Sequence, residues 1–158
     1  IFRTVKDNPQ HTFIFITKLP QNLMKWSPFP KNCWVGVSIT DGGCDNTPLA
    51  YLKRVEAKVK FISFEPLLHW WSVAIPNMLA ESFRIAGILW VIVGEVTPVR
   101  KATMPKIEWI QEIVEACDKT GIPIFMKDNL LELVNYQSPE MEFAFNKDGY
   151  YRQEFPKV

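Results

Sequence analysis

Cysteine is scarce in this chain of 158 residues, and that scarcity excludes a small fold held together by disulfides. Cys33, Cys44 and Cys117 are odd in number and widely spaced, so they indicate neither a disulfide framework nor a closed zinc site. His11 and His69 have no acidic or cysteine partners at ligand spacing, and we predict no metal site. We interpret the three cysteines as reduced thiols.

The chain also lacks a strong net charge and a long apolar run. Its 18 basic and 17 acidic residues leave a formal net charge of +1, too little to attract nucleic acid without a local patch. No apolar segment reaches the roughly 18 residues of a membrane span, and no secretory leader opens the sequence. We therefore expect a cytoplasmic protein that binds neither membranes nor nucleic acid.

Nucleotide-binding glycine motifs are absent as well. No G-x-G-x-x-G or G-x-x-x-x-G-K-[ST] pattern follows any apolar run, so the usual dinucleotide and P-loop sites have no support. The hydrophobic fraction of 47% and the aromatic fraction of 13% are enough for one buried core. The composition therefore predicts a globular protein.

Five short apolar runs are the most informative feature that is present. They lie at residues 14–18, 34–38, 61–65, 90–95 and 124–127, and each ends in a polar or charged residue. Near-continuous apolar strands are typical of a parallel sheet covered by helices. We therefore predict an α/β fold of about five parallel strands with flanking helices, a partial TIM-like (β/α) barrel.

Helices are predicted between these runs, in the order expected of β/α units. Apolar residues recur with helical spacing from 107 to 117, which puts Cys117 on the core side, and Gly121 supplies the C-terminal cap. Shorter helices are predicted near residues 21–26, 47–55 and 77–83. We place the barrel-like domain at residues 1–136, and we expect upstream sequence to precede Ile1.

The polar and aromatic residues 137–158 form a C-terminal extension that we expect to pack on this domain. Asp148-Gly149 is typical of a hairpin turn. An incomplete barrel leaves strand edges with unpaired backbone groups. We therefore expect the protein either to self-associate through those edges or to cover them.

The residues that end the strands are the candidate site, because ligands gather at the carboxyl ends of parallel strands. Glu65 and Glu95 could accept hydrogen bonds from a ligand, or could form ion pairs with Lys18 or Lys127. The two lysines could hold a carboxylate. Ser38 could orient a ligand or cap a backbone group.

The strand-end motifs also resemble one known family when they are taken in order. They are His11–Lys18, Asn32–Ser38, Phe61–Leu68, Trp90–Glu95 and Pro123–Lys127. The chain is similar to a phage and prokaryotic family of uncharacterised proteins with an N-terminal three-cysteine motif, related to radical S-adenosylmethionine enzymes. The family's Gly-Gly-Glu is shortened here to Gly94-Glu95.

The resemblance implies that the full-length protein is a radical S-adenosylmethionine-like enzyme and that this chain supplies most of the cofactor cradle. It implies that Ser38, Glu65, Glu95 and Lys127 bind S-adenosylmethionine. The catalytic residues are unknown, and we expect a [4Fe–4S] cluster only in the full-length protein, because the three cysteines do not match the family motif. Lys18 and the loop residue Arg100 are then candidates for binding the substrate.

Two other functions remain open. A barrel glycoside hydrolase would use Glu65 and Glu95 as its two carboxyl groups. A non-catalytic binding module would have its mouth filled by Trp70, Trp71 or the C-terminal extension.

Overall fold

A five-stranded parallel sheet forms the centre of the structure, a computed structural model that describes residues 1–42, 47–70, 77–136 and 138–157. In chain order its elements are α1 (Phe2–Asp7), β1 (Phe13–Thr17), a 3₁₀ helix (Pro20–Lys25), β2 (Cys33–Ser38), β3 (Asp41–Gly42), α2 (Thr47–Arg54), β4 (Val59–Phe64), β5 (His69–Trp70), α3 (Met78–Ala86), β6 (Trp90–Val93), a 3₁₀ helix (Lys101–Thr103), α4 (Ile107–Thr120), β7 (Ile124–Met126), a 3₁₀ helix (Asp128–Leu130), α5 (Leu131–Tyr136) and a 3₁₀ helix (Ser138–Ala144).

The order of strands in the sheet is β1-β2-β4-β6-β7, with every neighbouring pair parallel. The predicted α/β fold with five parallel strands is confirmed, and the sheet is not closed into a barrel. β3 and β5 form a separate two-stranded parallel pair that the sequence did not predict. Successive long strands lie side by side, which is the winding of β/α barrel units and not that of a doubly wound sheet.

One surface of the sheet, here called the helix face, packs against the helices. Alternate strand residues, Val35, Ile62, Val91 and Ile124 among them, join one core with side chains from α2, α3 and α4. Helix α3 lies beside both α2 and α4. Since residues alternate between the two faces of a strand, the neighbouring positions point to the opposite surface.

That opposite surface, here called the aromatic face, carries Trp34, Phe61, Trp90 and Phe125. The ring of Trp90 contacts the other three rings, at centroid distances of 5.4 to 6.1 Å. Gly36 lies under the ring of Phe61, so that ring occupies the space a side chain on β2 would fill. The result is a second, smaller apolar cluster of strand residues, and Phe155 of the C-terminal extension packs against Trp90 and Phe125 in it.

Two glycines end helices, and one of them, Gly121, was predicted to do so from the sequence. Gly121 follows α4 with φ of 68°, and its N–H bonds the carbonyl of Asp118. Gly87 ends α3 in the same way, with φ of 69°. A residue with a side chain is strained at such positive φ values, which is why glycine is favoured here.

The C-terminal residues cover one edge of the sheet. The Met126 N–H donates to the Arg152 carbonyl at 2.8 Å, and the Glu154 N–H donates to the Ile124 carbonyl at 2.9 Å. Asn146 closes a turn through Gly149. Its carbonyl accepts from the Gly149 N–H, and its N–H donates to the Tyr150 carbonyl. The predicted turn at Asp148-Gly149 is confirmed, and the extension packs on the β7 edge.

The described cysteines and Trp70 lie in the core of the helix face. Cys33 and Cys117 are free and fully buried on the helix face, as predicted for Cys117, whereas Cys44 lies outside the described residues. Trp70 packs against Phe64 on the helix face and its indole N–H donates to Glu112, while Trp71 lies outside the described residues. Among the helices of the described ranges, none is both long and apolar enough to cross a membrane.

Candidate functional site

The register of the sheet brings Glu65, Gly94 and Lys127 to one level at its carboxyl edge. Phe64 is paired with Val93, and Val93 with Met126, so the next residue of each strand follows at the same height. Three main-chain hydrogen bonds continue the ladder there, from the N–H groups of Gly94, Leu67 and Lys127 to the carbonyls of Phe64, Gly94 and Val93 respectively. Glu65 therefore lies beside Gly94 and not beside Glu95.

Glu65 and Lys127 form an ion pair across Gly94, with the Lys127 ammonium donating to Glu65 Oε1. Their side chains are 28% and 42% exposed, respectively. A pair this accessible contributes little to stability, about 0–1 kcal/mol, because water screens it. The two opposite charges are therefore available to a ligand that carries both signs.

Ser38 contributes a second contact with Glu65. Its hydroxyl donates to the Glu65 carbonyl at 2.8 Å, so the serine side chain caps a backbone group at the end of β4. Of the two uses that the sequence allowed for Ser38, this contact is the one observed. It fixes the main chain that carries the Glu65 carboxylate.

Gly94 forms the floor beneath the ion pair. A Cβ at this position would lie 3.1 Å from Lys127 Cδ, 3.2 Å from Glu65 Cγ and 3.3 Å from Asn129 Oδ1. All three distances are shorter than an ordinary van der Waals contact. The absence of a side chain at residue 94 therefore lets these groups converge.

Glu95 is held differently from Glu65. The side-chain amide of Asn129 accepts from the Glu95 N–H at 3.3 Å and donates to the Glu95 carbonyl at 2.7 Å, which replaces a strand partner. Side chains two residues apart along a strand lie on the same face. Because Val93 lies on the helix face, the Glu95 side chain lies there too. The two glutamates thus point to opposite faces of the sheet.

The Glu95 carboxyl is buried, with 2% of the residue exposed, and neither of its oxygens has a hydrogen-bond partner among the described residues. Burial raises its pKa from the ordinary value of 4.5, and the negative charge of Glu132 raises that pKa further. The Tyr151 hydroxyl donates to the Lys127 carbonyl at 3.1 Å. Burial raises the pKa of Tyr151, and the charges of Asp128 and Glu95 add to that effect.

The two residues predicted to bind the substrate, Lys18 and Arg100, are both exposed. Lys18 follows β1 on the aromatic face next to Ser38, because Thr17 is paired with Val37, and its side chain is exposed. Arg100 is an exposed loop residue that precedes the 3₁₀ helix Lys101–Thr103. Lys127, and not Lys18, is the lysine that pairs with Glu65.

The aromatic face therefore collects Lys18, Ser38, Glu65 and Lys127 at its carboxyl edge, and we call Ser38, Glu65, Gly94 and Lys127 the strand-end site. Asn129 and Tyr151 support it, and sequence reasoning missed both. Asn129 follows β7 by three residues, so extending the strand-end criterion by two positions beyond Lys127 would have included it. Tyr151 comes from the extension, where no sequence pattern points to the site.

The side chains of the strand-end site offer one positive group, one negative group and one hydroxyl. Within the described ranges, no group of three or more histidine, cysteine, aspartate or glutamate side chains is arranged to hold a metal ion. An ammonium, a carboxylate and a hydroxyl within a few residues of one sheet edge suit a small polar molecule. A ligand with one positive and one negative group would match the charges of this site.

Comparison with known proteins gives one finding about the family. The sequence matches the family model described as "Protein of unknown function (DUF5131)" over residues 1–142, which include the whole strand-end site. The chain therefore belongs to this family. Comparisons with curated proteins and with solved structures gave no match. The relation to radical S-adenosylmethionine enzymes and the N-terminal cysteine motif stay predictions.

Proposed function

We propose that this member of the DUF5131 family binds a small zwitterionic molecule at the strand-end site, with S-adenosylmethionine as the first candidate. The observation that supports the proposal is the accessible Glu65–Lys127 ion pair above Gly94. Its position at the carboxyl ends of parallel strands is the usual ligand position in such folds. The resemblance of the strand-end motifs supplies the identity of the candidate.

An amino-acid group matches the site charge for charge. The Glu65 carboxylate can accept hydrogen bonds from an α-ammonium, and the Lys127 ammonium can donate to an α-carboxylate. Binding would exchange one internal ion pair for two intermolecular ones, so neither protein charge would be left unpaired. Ser38 keeps the main chain of Glu65 in place through its hydrogen bond to the carbonyl.

Asn129 is a positioning residue in this proposal. Its amide holds the main chain of Glu95 on both sides and lies next to Gly94. It thereby fixes the glycine over which the ion pair forms. The prediction that Glu95 also binds the cofactor remains open, since its carboxyl lies on the helix face.

The described cysteines do not fit an iron–sulfur cluster. Cys33 and Cys117 are buried in the core of the helix face, and burial raises the pKa of both thiols, which disfavours the thiolate that a cluster requires. S-adenosylmethionine would supply a sulfonium group, whose reductive cleavage needs such a cluster. We therefore propose that this chain binds the cofactor, and we assign its cleavage to no residue of this chain.

Isothermal titration calorimetry with S-adenosylmethionine tests the proposal. We compare the wild type with Lys127→Met and Glu65→Gln, and we use Lys119→Met as the matched control, because Lys119 is an exposed lysine in the last turn of α4, at the amino end of the sheet. Losing one charge-assisted contact of about 1.5–3 kcal/mol predicts affinity that is roughly tenfold to a hundredfold weaker for the site variants. Circular dichroism checks that all variants are folded.

Two results would reject the proposal. One is the absence of binding by the folded wild type at about 1 mM ligand, a concentration at which even weak specific binding is detectable. The other is equal affinity in the Lys127, Glu65 and Lys119 variants, because the ligand would then bind elsewhere.

The two alternative functions gain no support from this arrangement. A glycosidase needs two carboxyl groups that flank one sugar bond, whereas Glu65 and Glu95 point to opposite faces of the sheet. A module with a plugged mouth would need Trp70 or the extension above the strand-end site. Trp70 lies on the helix face. The extension bonds along the β7 edge, packs Phe155 against Trp90 at the amino end of β6, and touches the site through the bond of Tyr151 to the Lys127 carbonyl.

A further inference from the structure

The peptide group between Gly94 and Glu95 joins the two segments that carry the ion pair. Its carbonyl accepts a hydrogen bond from the Leu67 N–H at 3.0 Å, two residues after the glutamate of that pair. Its N–H donates to Asn129 Oδ1 at 3.3 Å, two residues after the lysine. Because a peptide group is planar and rigid, it cannot rotate without loosening both hydrogen bonds. The spacing of the ion pair therefore depends on the orientation of this one peptide.

The main chain on the other side of Glu95 depends on the same asparagine. Asn129 Nδ2 donates to the Glu95 carbonyl at 2.7 Å and lies 3.4 Å from the Thr97 hydroxyl. These are hydrogen bonds of a neutral amide, and each contributes less to stability than an unpaired buried charge costs. The position of the main chain at residue 95 can therefore be changed by a charge on its own side chain.

The Glu95 carboxyl carries that charge only when it has lost its proton. It lies on the helix face, where 2% of the residue is exposed and no group of the described ranges donates to it. A protonated carboxyl is neutral and can remain there. A carboxylate without donors is far more costly to bury, so it has to reach water. The side chain then leaves the helix face, and the peptide group before it has to rotate.

The acidic and phenolic groups around Glu95 favour its protonated form. Burial raises the pKa of Glu95, and the negative charge of Glu132 on α5 raises it further. Burial also raises the pKa of Tyr151 in the C-terminal extension, and the charges of Asp128 and Glu95 add to that effect, so this phenol keeps its proton. The phenol donates to the Lys127 carbonyl and not to Glu95.

Basic groups on the neighbouring segments do not neutralise this carboxyl. The Lys127 ammonium donates to Glu65 on the aromatic face. Lys106, at the start of α4, lies over an indole ring, 5.6 Å from its centroid. Arg100 and Lys101, in the loop after β6, are exposed. None of these groups donates a hydrogen bond to the carboxyl, so only a proton neutralises it.

We propose that Glu95 acts as a proton-controlled latch of the strand-end site, an inference that rests on the function proposed above. With its proton, Glu95 stays on the helix face, and the hydrogen bonds of the peptide before it hold Glu65 and Lys127 at the spacing for a zwitterionic ligand. Without its proton, the side chain moves to solvent and the site releases the ligand. Affinity therefore falls as pH rises, and ligand binding takes up a proton.

Amide hydrogen exchange without ligand tests the latch directly. Protection of the Leu67 and Glu95 amides is measured at about pH 5 and about pH 8, after correction for the intrinsic pH dependence of exchange. The reference amide is Leu89, which donates to the Lys60 carbonyl at 2.8 Å at the amino end of the same two strands. We expect protection of the two latch amides to fall about tenfold relative to Leu89 in the wild type and to stay constant in Glu95→Gln.

Isothermal titration calorimetry with S-adenosylmethionine at the same two pH values tests the link to the site. We expect the affinity of the wild type to fall about tenfold more between them than that of Glu95→Gln, since titration of the ligand itself is common to both proteins. At the higher pH, two buffers of different ionisation enthalpy should show that the wild type takes up more protons on binding. Glu108→Gln, which removes an exposed carboxylate from α4, is the matched control and should behave as the wild type.

Asn129→Ala removes the hydrogen bonds of the latch without changing any charge. We expect low protection of the Glu95 amide and weak binding of S-adenosylmethionine at both pH values, with circular dichroism confirming a folded protein. Binding as tight and as pH-dependent as that of the wild type would show that Asn129 does not connect Glu95 to the site.

Three other outcomes would overturn the latch. Parallel loss of protection at Leu67, Glu95 and Leu89 would identify a global loss of stability. An equal pH dependence of affinity in the wild type and Glu95→Gln would show that Glu95 does not control the site, while the proposed function would stand. If S-adenosylmethionine bound neither protein at either pH, the proposed function would fail, and with it the role of the latch in ligand release.

Discussion

Replacing Glu95 by glutamine should change how stability depends on pH. The Glu95 carboxyl is 2% exposed and finds no hydrogen-bond donor among the described residues. Burial raises its pKa in the folded protein above the ordinary value of 4.5. The folded state thus holds a proton on this group over a pH range in which the unfolded state has lost it.

The sign of the effect follows from that difference. A raised pKa in the folded state means that the stabilising contribution is fully present below pH 4.5 and is lost as pH rises through the folded pKa. The free energy of unfolding falls in that window by at most about 1.4 kcal/mol for each pH unit. Above the window, an ionised carboxylate without a donor costs about 1–3 kcal/mol or more.

Glutamine has nearly the same shape and no charge at any of these pH values, so Glu95→Gln should remove the decline. We expect the variant to be more stable than the wild type by about 1–3 kcal/mol at neutral pH, with the difference shrinking toward acid. Urea unfolding followed by tryptophan fluorescence, from about pH 4 to about pH 8, measures both curves.

Glu132→Gln is the control for this experiment. Glu132 is exposed and its charge contributes to the raised pKa of Glu95, so its removal should reduce the decline without abolishing it. Parallel curves for the wild type and Glu95→Gln would refute the reasoning, because the carboxylate would then be as well solvated in the folded protein as in the unfolded one.

Two further predictions concern the sheet. Gly36→Ala should destabilise the protein by about 1–3 kcal/mol or more, because the new methyl group would overlap the fully buried ring of Phe61. Thermal unfolding measures this loss, and a melting temperature equal to that of the wild type would contradict it. Arg152→Met should loosen the C-terminal cover, since the guanidinium pairs with Asp118 at 2.8 Å, and faster amide exchange at Met126, which donates to the Arg152 carbonyl, would reveal it.

The long strands could be predicted because each is a continuous apolar run with a polar end. Each of the five apolar runs overlaps one of the five long strands, with ends that agree to within two residues. β3 and β5 have two residues each, too few for any periodicity. Pairing of residues 152–154 with β7 uses main-chain groups, so side-chain patterns did not indicate it.

The candidate site was predicted only in part, for a reason of register. A strand-end rule names Glu65 and Glu95 equally, because each follows an apolar run. A shift of one residue moves a side chain to the other face, and the register between two strands depends on the whole sheet. The ion pair of Glu65 with Lys127, in contrast, was among the pairings that the sequence had left open.

Because the two glutamates lie on opposite faces of the sheet, substituting each of them should have a different effect. Glu65 is accessible and paired with Lys127 on the aromatic face, so its charge can serve a ligand at little cost to the fold. Glu95 is buried one residue beyond Gly94, so its charge opposes folding unless a proton neutralises it. Glu65→Gln should therefore weaken ligand binding and keep the pH dependence of stability, whereas Glu95→Gln should remove that dependence. If both variants lost affinity equally while both kept the pH profile, the two carboxylates would share one environment, and the division between the faces would be wrong.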